Sequence, residues 1–262
     1  MALGPFPKWL SDFTGLSEWP GMDPPYISME HVDLSEIPEI PTRAYGDCSN
    51  VLAHYCSFEC GVCVAPDDIH TCPTLSQTFD DGPTPFTSFL FDKLPTKNTF
   101  FTQGINVVRR PDTFRMAHKK GHHLATHTWS HKNLPTLSNE EIVAQFQWSI
   151  WAMNATAGII PKYYRPPYGS VDDRVRAITR QLGLICVLWD RDSLDWMANS
   201  NLKSASEIFD AVRLWRNSGK GGLLLEHDNS NITVSIGIGI GNILGNNQMT
   251  VAECAGNQWY QN

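Results

Sequence analysis

Residues 75–83 read Leu-Ser-Gln-Thr-Phe-Asp-Asp-Gly-Pro, a strand-like run that ends on two carboxylates and a Gly-Pro turn. From this stretch onward short apolar runs alternate with amphipathic ones, which is the texture of a parallel sheet with crossover helices. The strands predicted on this basis are 75–80, 99–103, 123–127, 163–165, 184–189, 223–226 and a short last one at 249–252. The clearest helix begins at Ser138, where Asn139, Glu140 and Glu141 supply a cap and first-turn acids, and runs through IVAQFQWSIWAM. A second helix is expected over 172–182. Strands and helices in this order predict an α/β fold, a distorted or incomplete (β/α) barrel of about seven parallel strands, with functional groups at the strands' C-terminal ends.

Upstream of this region, residues 1–72 are rich in Pro, Trp and acidic residues and show no sustained period, so they read as an irregular extension. The organisation expected is therefore an extension over 1–72, a catalytic domain over 73–254 and a tail over 255–262. With 262 residues, 42% of them hydrophobic, the chain can bury a sizeable core. A net charge of -7 gives no basic footprint for phosphates, so nucleic acid is not an expected partner. No apolar run is long enough to span a membrane, and the opening MALGPFPKWL lacks the apolar core of a signal peptide, so a mature, soluble form is expected.

Five of the seven cysteines fall between Cys48 and Cys72, and a sixth is Cys254. The spacing of Cys48, Cys56, Cys60, Cys63 and Cys72 lacks the second close pair of a zinc module, so disulfides and a secretory route are expected. Cys72, just before the first strand, is predicted to pair with Cys254, just after the last, because barrel closure brings those strands together. That leaves two local bridges among Cys48, Cys56, Cys60 and Cys63, with connectivity open. The sequons at Asn154 and Asn231 agree with secretion and are candidate glycosylation sites. Cys186, within LICVLW, reads as a buried free thiol.

The chemistry-bearing residues gather at strand ends. Asp80 and Asp81 are neighbours, so both can serve one site only if the chain leaves strand geometry there. Taken alone they read better as a solvated turn. His127-Thr-Trp-Ser-His131 then offers two imidazoles, and two His with one Asp make a three-ligand metal site with room for water and substrate. His122 and His123 lie too far back along the strand and read as polar core or surface residues. Arg165-Pro-Pro-Tyr168 places an arginine where it can orient a carboxylate, and Asp192-Ser-Leu-Asp195-Trp196 and Leu225-Glu-His227 end two further strands. Five polar clusters on one rim are better evidence than any one of them. The Gly237–Gly241 stretch GIGIG follows no strand directly and reads as a thin helix rather than a phosphate loop.

TFDDGP, HTWSH, RPPY, DSLDW and LEH, in this order, resemble the five motifs of the NodB-homology polysaccharide deacetylases, carbohydrate esterase family 4, over about residues 73–254. Within that family the chain most resembles fungal chitin deacetylases, and FPKWLSDFTGLSEWPGMDPPY and SNEEIVAQFQWSIWAMNAT are similar to the budding-yeast enzymes of spore-wall formation. The resemblance implies deacetylation of N-acetylglucosamine in chitin, outside the cell or in a cell or spore wall. It implies a divalent metal, Zn²⁺ first and Co²⁺ or Mn²⁺ as alternatives, on Asp81, His127 and His131. It further implies Asp80 as general base held by Arg165, the Tyr168 N–H at the oxyanion and His227 as acid. The resemblance also implies an Asp of DSLDW behind His227, with Asp192 favoured over Asp195, and Trp196 and Leu225 as apolar walls. Two rival readings are a phosphatase using Asp80 as acceptor, which the histidines disfavour, and a wall-binding protein without turnover, which the complete set of groups disfavours.

Overall fold

The computed structural model describes residues 3–49, 51 and 55–262. Its strands are β1 (Leu75–Asp80), β2 (Thr99–Thr102), β3 (His123–Thr126), β4 (Tyr163–Tyr164), β5 (Ile185–Cys186), β6 (Arg191–Asp192) and β7 (Gly222–His227). They pair in parallel in the order β5-β4-β3-β2-β1-β7-β6. The edge strands β5 and β6 are joined only by residues 187–190, so the sheet has to curl until its two edges approach. Along that link Leu188 N–H donates to the Ile69 carbonyl at 2.7 Å and Asp190 N–H to the Leu223 carbonyl at 3.4 Å. A half-barrel closed by a short crossing, rather than by strand pairing, is the incomplete barrel expected.

The helices are α1 (Lys8–Thr14), α2 (Phe58–Gly61), α3 (Gly104–Arg109), α4 (Pro111–Lys119), α5 (Asn139–Ala157), α6 (Asp173–Gln181), α7 (Ala205–Asn217), α8 (Asn231–Leu244) and α9 (Val251–Ala255). Ser138 caps α5 as anticipated: its hydroxyl accepts from the Glu141 N–H while the Glu141 carboxylate accepts from the Ser138 N–H. The same device corrects the expected strand at 249–252. Thr250 and Glu253 form a reciprocal cap and start α9 there, and the seventh strand is instead β6, which lies just beyond the strand expected at 184–189. Arg191 and Asp192 are both charged and offer no apolar run by which a strand is read.

Helix α8 packs closely on β1 and on α7 because its glycines leave no side chain in the way. A Cβ at Gly237 would sit 2.7 Å from the Phe79 ring, and one at Gly239 2.4 Å from Phe209. The extension is irregular but not separate. Leu10 and Trp19 join the core of Phe79, Phe100, Trp129 and Trp148, while Val32 and Ile37 join a second core under α5 and α6. Burying a side chain of Trp19's size stabilises by roughly 1.5–3 kcal/mol, enough to fix a segment that has no ladder of its own. Its short α1 had no sequence signal of sustained period; Pro7 and Gly15 bound it. Cys72–Cys254 ties β1 to α9, and Cys48–Cys60 and Cys56–Cys63 staple the extension. The first pairing is the one expected, although a helix carries Cys254. Cys186 is free and buried, and burial pushes its thiol well up. Among the described residues no helix is long and apolar enough to cross a membrane.

Candidate active site

Asp80 is the last residue of β1 and Asp81 the first beyond it. Asp81 has φ +84°, so the chain leaves extended geometry at that residue and both carboxylates can serve the same rim. The following Gly82-Pro83 peptide is cis. His127 follows β3, and its Nδ1–H faces the Arg165 carbonyl at 2.8 Å, which leaves Nε2 as the lone-pair nitrogen. The next residues turn sharply, with Thr128 and His131 both at positive φ, and His131 N–H donates to the Thr128 hydroxyl at 3.1 Å. The extension braces this turn from outside: Trp129 Nε1–H donates to the Gly21 carbonyl and Ser130 Oγ–H to that of Met22, at 2.7 and 2.6 Å.

The ligand-type atoms of Asp81, His127 and His131 all lie within 4.8 Å of one another. Burial, the largest influence, pushes both imidazoles down to about 4, so they are neutral donors at neutral pH. Burial also opposes ionisation of Asp81, but His127, His131 and His227 around it hold its carboxyl below the usual range. Two neutral imidazoles and one carboxylate, one imidazole oriented by a backbone carbonyl, are a fitting set for a divalent ion such as zinc. His122 and His123 are elsewhere. Both are buried, and His123 faces the Thr99 hydroxyl at 3.0 Å and the Trp259 carbonyl at 3.3 Å, which makes them polar core residues.

Beside the cluster, Asp80 Oδ2 lies 3.7 Å from His127 Nε2 while its Oδ1 accepts from Arg165 at 2.8 Å. Arg165 is fully buried inside the barrel. It also donates to the Thr78 hydroxyl at 2.6 Å and the Leu188 carbonyl at 3.2 Å, and lies 4.2 Å over the Phe101 ring. Burial raises the Asp80 carboxyl against the pull of Arg165. On the other flank, Asp195 accepts from both the His227 ring Nδ1 and the His227 backbone N–H, at 2.7 and 2.8 Å. Burial alone would lower His227, but the Asp195 charge and hydrogen bond, with Asp81 and Asp80 nearby, bring it up to about 10.

The preference for Asp192 as the carboxylate behind His227 is therefore corrected. Asp192 accepts from the Leu194 N–H at 2.9 Å and shapes the loop, and the left-handed Leu194 then turns Asp195 toward the histidine. Leu225 is buried on β7, whereas Tyr168 and Trp196 are exposed at the rim. Asn231, exposed, opens α8, and Asn154 lies partly buried near the end of α5.

Several groups went unread in the sequence. Gln103 and Asn229 each donate to one oxygen of Asp81, at 3.0 and 2.8 Å, and Asn106 donates to its carbonyl at 3.0 Å. Asp228 is buried against Gly82 and bonded by Thr87, and burial raises its carboxyl to about 8. An amide at a strand end carries no distinctive pattern, although Gln103 does end the predicted second strand and Asn229 does follow LEHD.

The profile of the polysaccharide deacetylase family matches residues 67–187. Chitin deacetylase 1 of Saccharomyces cerevisiae is 50% identical over 98% of this chain and 85% of its own, and chitin deacetylase 2 of the same yeast is 50% identical over 96% and 81%. The structure of the chitin deacetylase from Colletotrichum lindemuthianum is similar with a TM-score of 0.64 and 28% identity, over 74% of this chain and 95% of that one. With its strand-end carboxylates, histidine pair and curled parallel sheet, the chain belongs to the polysaccharide deacetylase family.

Proposed function

We propose that this site hydrolyses the N-acetyl groups of N-acetylglucosamine units in chitin, releasing acetate and leaving free amines. The observation that carries the reading is that one rim holds a three-donor cluster with the Arg165–Asp80 pair on one side and the His227–Asp195 pair on the other. The two yeast chitin deacetylases, similar over nearly the whole chain, support the choice of sugar.

Asp81, His127 and His131 would hold the ion, zinc suiting them best and cobalt or manganese next; when bound it supplies positive charge that polarises the amide carbonyl and acidifies water. Asp80 accepts the proton of the attacking water, and Arg165 fixes which oxygen it presents. A base inside a buried pocket gains proton affinity, which brings it nearer the working pH. The Tyr168 N–H donates to the oxyanion that develops on the carbonyl. His227, cationic beside Asp195, gives its proton to the departing amine, which leaves poorly without it. Trp196 and Leu225 bound the acetyl methyl. Three disulfides and sequon asparagines that are exposed (Asn231) or partly buried (Asn154) support work outside the cell, in a cell or spore wall.

Acetate release from chitin oligomers, acetylxylan and peptidoglycan by protein stripped of metal and reloaded tests the reading. Release from chitin oligomers above the other two is expected. Equal silence on all three, with the ion bound, would favour a wall-binding role.

A further inference from the structure

Tyr45 lies in the extension, outside the five motifs, yet its ring stands at the mouth of the site. It is 64% exposed, and its centroid is 5.1 Å from that of Tyr168, itself 52% exposed. The Tyr168 ring in turn lies 4.6 Å from the His131 ring. Two aromatic rings therefore run outward in series from one of the cluster's histidines.

Exposed rings alone are common on surfaces; what distinguishes Tyr45 is the support beneath it. It occupies the tip of a turn closed by the Asp47 N–H on the Ala44 carbonyl at 3.0 Å. The next residue, Gly46, has φ +74°, which a turn of this kind requires at its third position and which glycine adopts without strain. Gly46 N–H donates to Glu59 Oε1 at 3.0 Å, and the other Glu59 oxygen pairs with Arg43 at 2.7 Å, both side chains being under 10% exposed. Arg43 N–H donates to the Pro135 carbonyl at 3.0 Å, and Cys48–Cys60 anchors the far side. A buried ion pair, a disulfide and a glycine turn thus hold in place a side chain that buries little of its own surface. Fixing such a ring in advance lowers the entropy lost when something stacks on it.

We propose that Tyr168 and Tyr45 form an aromatic path, a subsite in which Tyr45, the outer ring, packs on a sugar beyond the immediate neighbour of the one being deacetylated, so that the extension sets the chain length preferred. This rests on the chitin reading. A β-linked glucosamine ring carries its polar groups around its edge and presents flat C–H faces, and those faces pack on tyrosine rings while the hydroxyls stay in water.

The test uses the full chain, its Tyr45→Ala and Tyr45→Phe variants, and N-acetylglucosamine oligomers of two to six units, read by calorimetric binding and by acetate release. Tyr45→Ala is expected to lose roughly 3- to 10-fold in affinity, and to gain as much in KM, on the longest oligomers, with the dimer and kcat unchanged. Tyr45→Phe should behave as the parent, since the ring and not the hydroxyl makes the contact. A loss equal at every length, or none, overturns the subsite, as does a parent that binds no oligomer. If the parent binds but releases no acetate, the deacetylase reading fails and the binding series still decides the subsite. If it releases acetate with a length preference that Tyr45→Ala leaves intact, the subsite alone fails.

Discussion

Two ion pairs flank the Asp81–His127–His131 cluster, and the hydrogen bonds that join them are almost equal in length, 2.8 Å for Arg165–Asp80 and 2.7 Å for His227–Asp195. They leave their members in different states. Inside the barrel, burial outweighs the arginine and raises the proton affinity of the Asp80 carboxyl. At the rim, burial opposes the charge on His227, but a fully enclosed Asp195 together with Asp81 and Asp80 outweighs it and lifts the imidazole to about 10. Contact distance does not decide which group holds a proton; the balance of enclosure and surrounding charge does. That balance suits Asp80 to accept a proton and His227 to give one, the division that the proposed amide hydrolysis requires.

The comparison breaks most visibly at the acceptor. Asp80→Asn should lower the rate by about 10²–10⁴ while the protein still binds Zn²⁺, because on the proposed roles the group lost accepts a proton and is not in the donor set. Asp81→Asn, its neighbour, should weaken Zn²⁺ binding directly. Calorimetric titration and acetate assays on the same samples read both, and equal loss of affinity in the two variants would show that the roles are misassigned. At the donor, His227→Ala should slow amide cleavage by roughly 10²-fold or more, yet spare an activated acetyl ester whose leaving group needs no proton. Similar losses on both substrates would remove His227 from that role.

Smaller effects sharpen the picture. Asn229→Ala and Gln103→Ala, each removing one hydrogen bond from Asp81, should weaken Zn²⁺ binding by about 10–100-fold as measured by competition with a chelator. Unchanged affinity would mean that the amides only pack. The smallest effect is expected for Asp195→Asn, as a displacement along the pH axis. His227 in the folded protein is raised above its ordinary 6.5, so the stability it gains is full below pH 6.5 and lost as pH rises through about 10. Without the Asp195 charge that loss, and the alkaline fall in activity, should move to lower pH. Thermal unfolding and rate profiles across pH 6–11 would read the displacement, and a profile superimposable on the parent's would count against the pair.

Much of this arrangement was legible in the chain because its signals are local. TFDDGP, HTWSH and RPPY sit at the ends of strands whose apolar character is carried by a few successive residues, and the cap at Ser138 lies within four. What escaped depends on contacts between distant segments or on one backbone angle. Asn229 reaches Asp81 across 148 residues of sequence, and neither residue bears a mark of the other. The two-residue β6 is a strand only because curling brings it to β7, and 249–252 looked like a strand until Glu253 returned to cap Thr250. In DSLDW the sequence offered two aspartates, and the left-handed Leu194 chose between them. The sequence by itself determined which residue types stand at the strand ends and hence the barrel and its family. Only the tertiary structure decided which carboxylate meets which histidine and how tightly each is enclosed, because enclosure and long-range charge belong to the folded assembly and not to any stretch of chain.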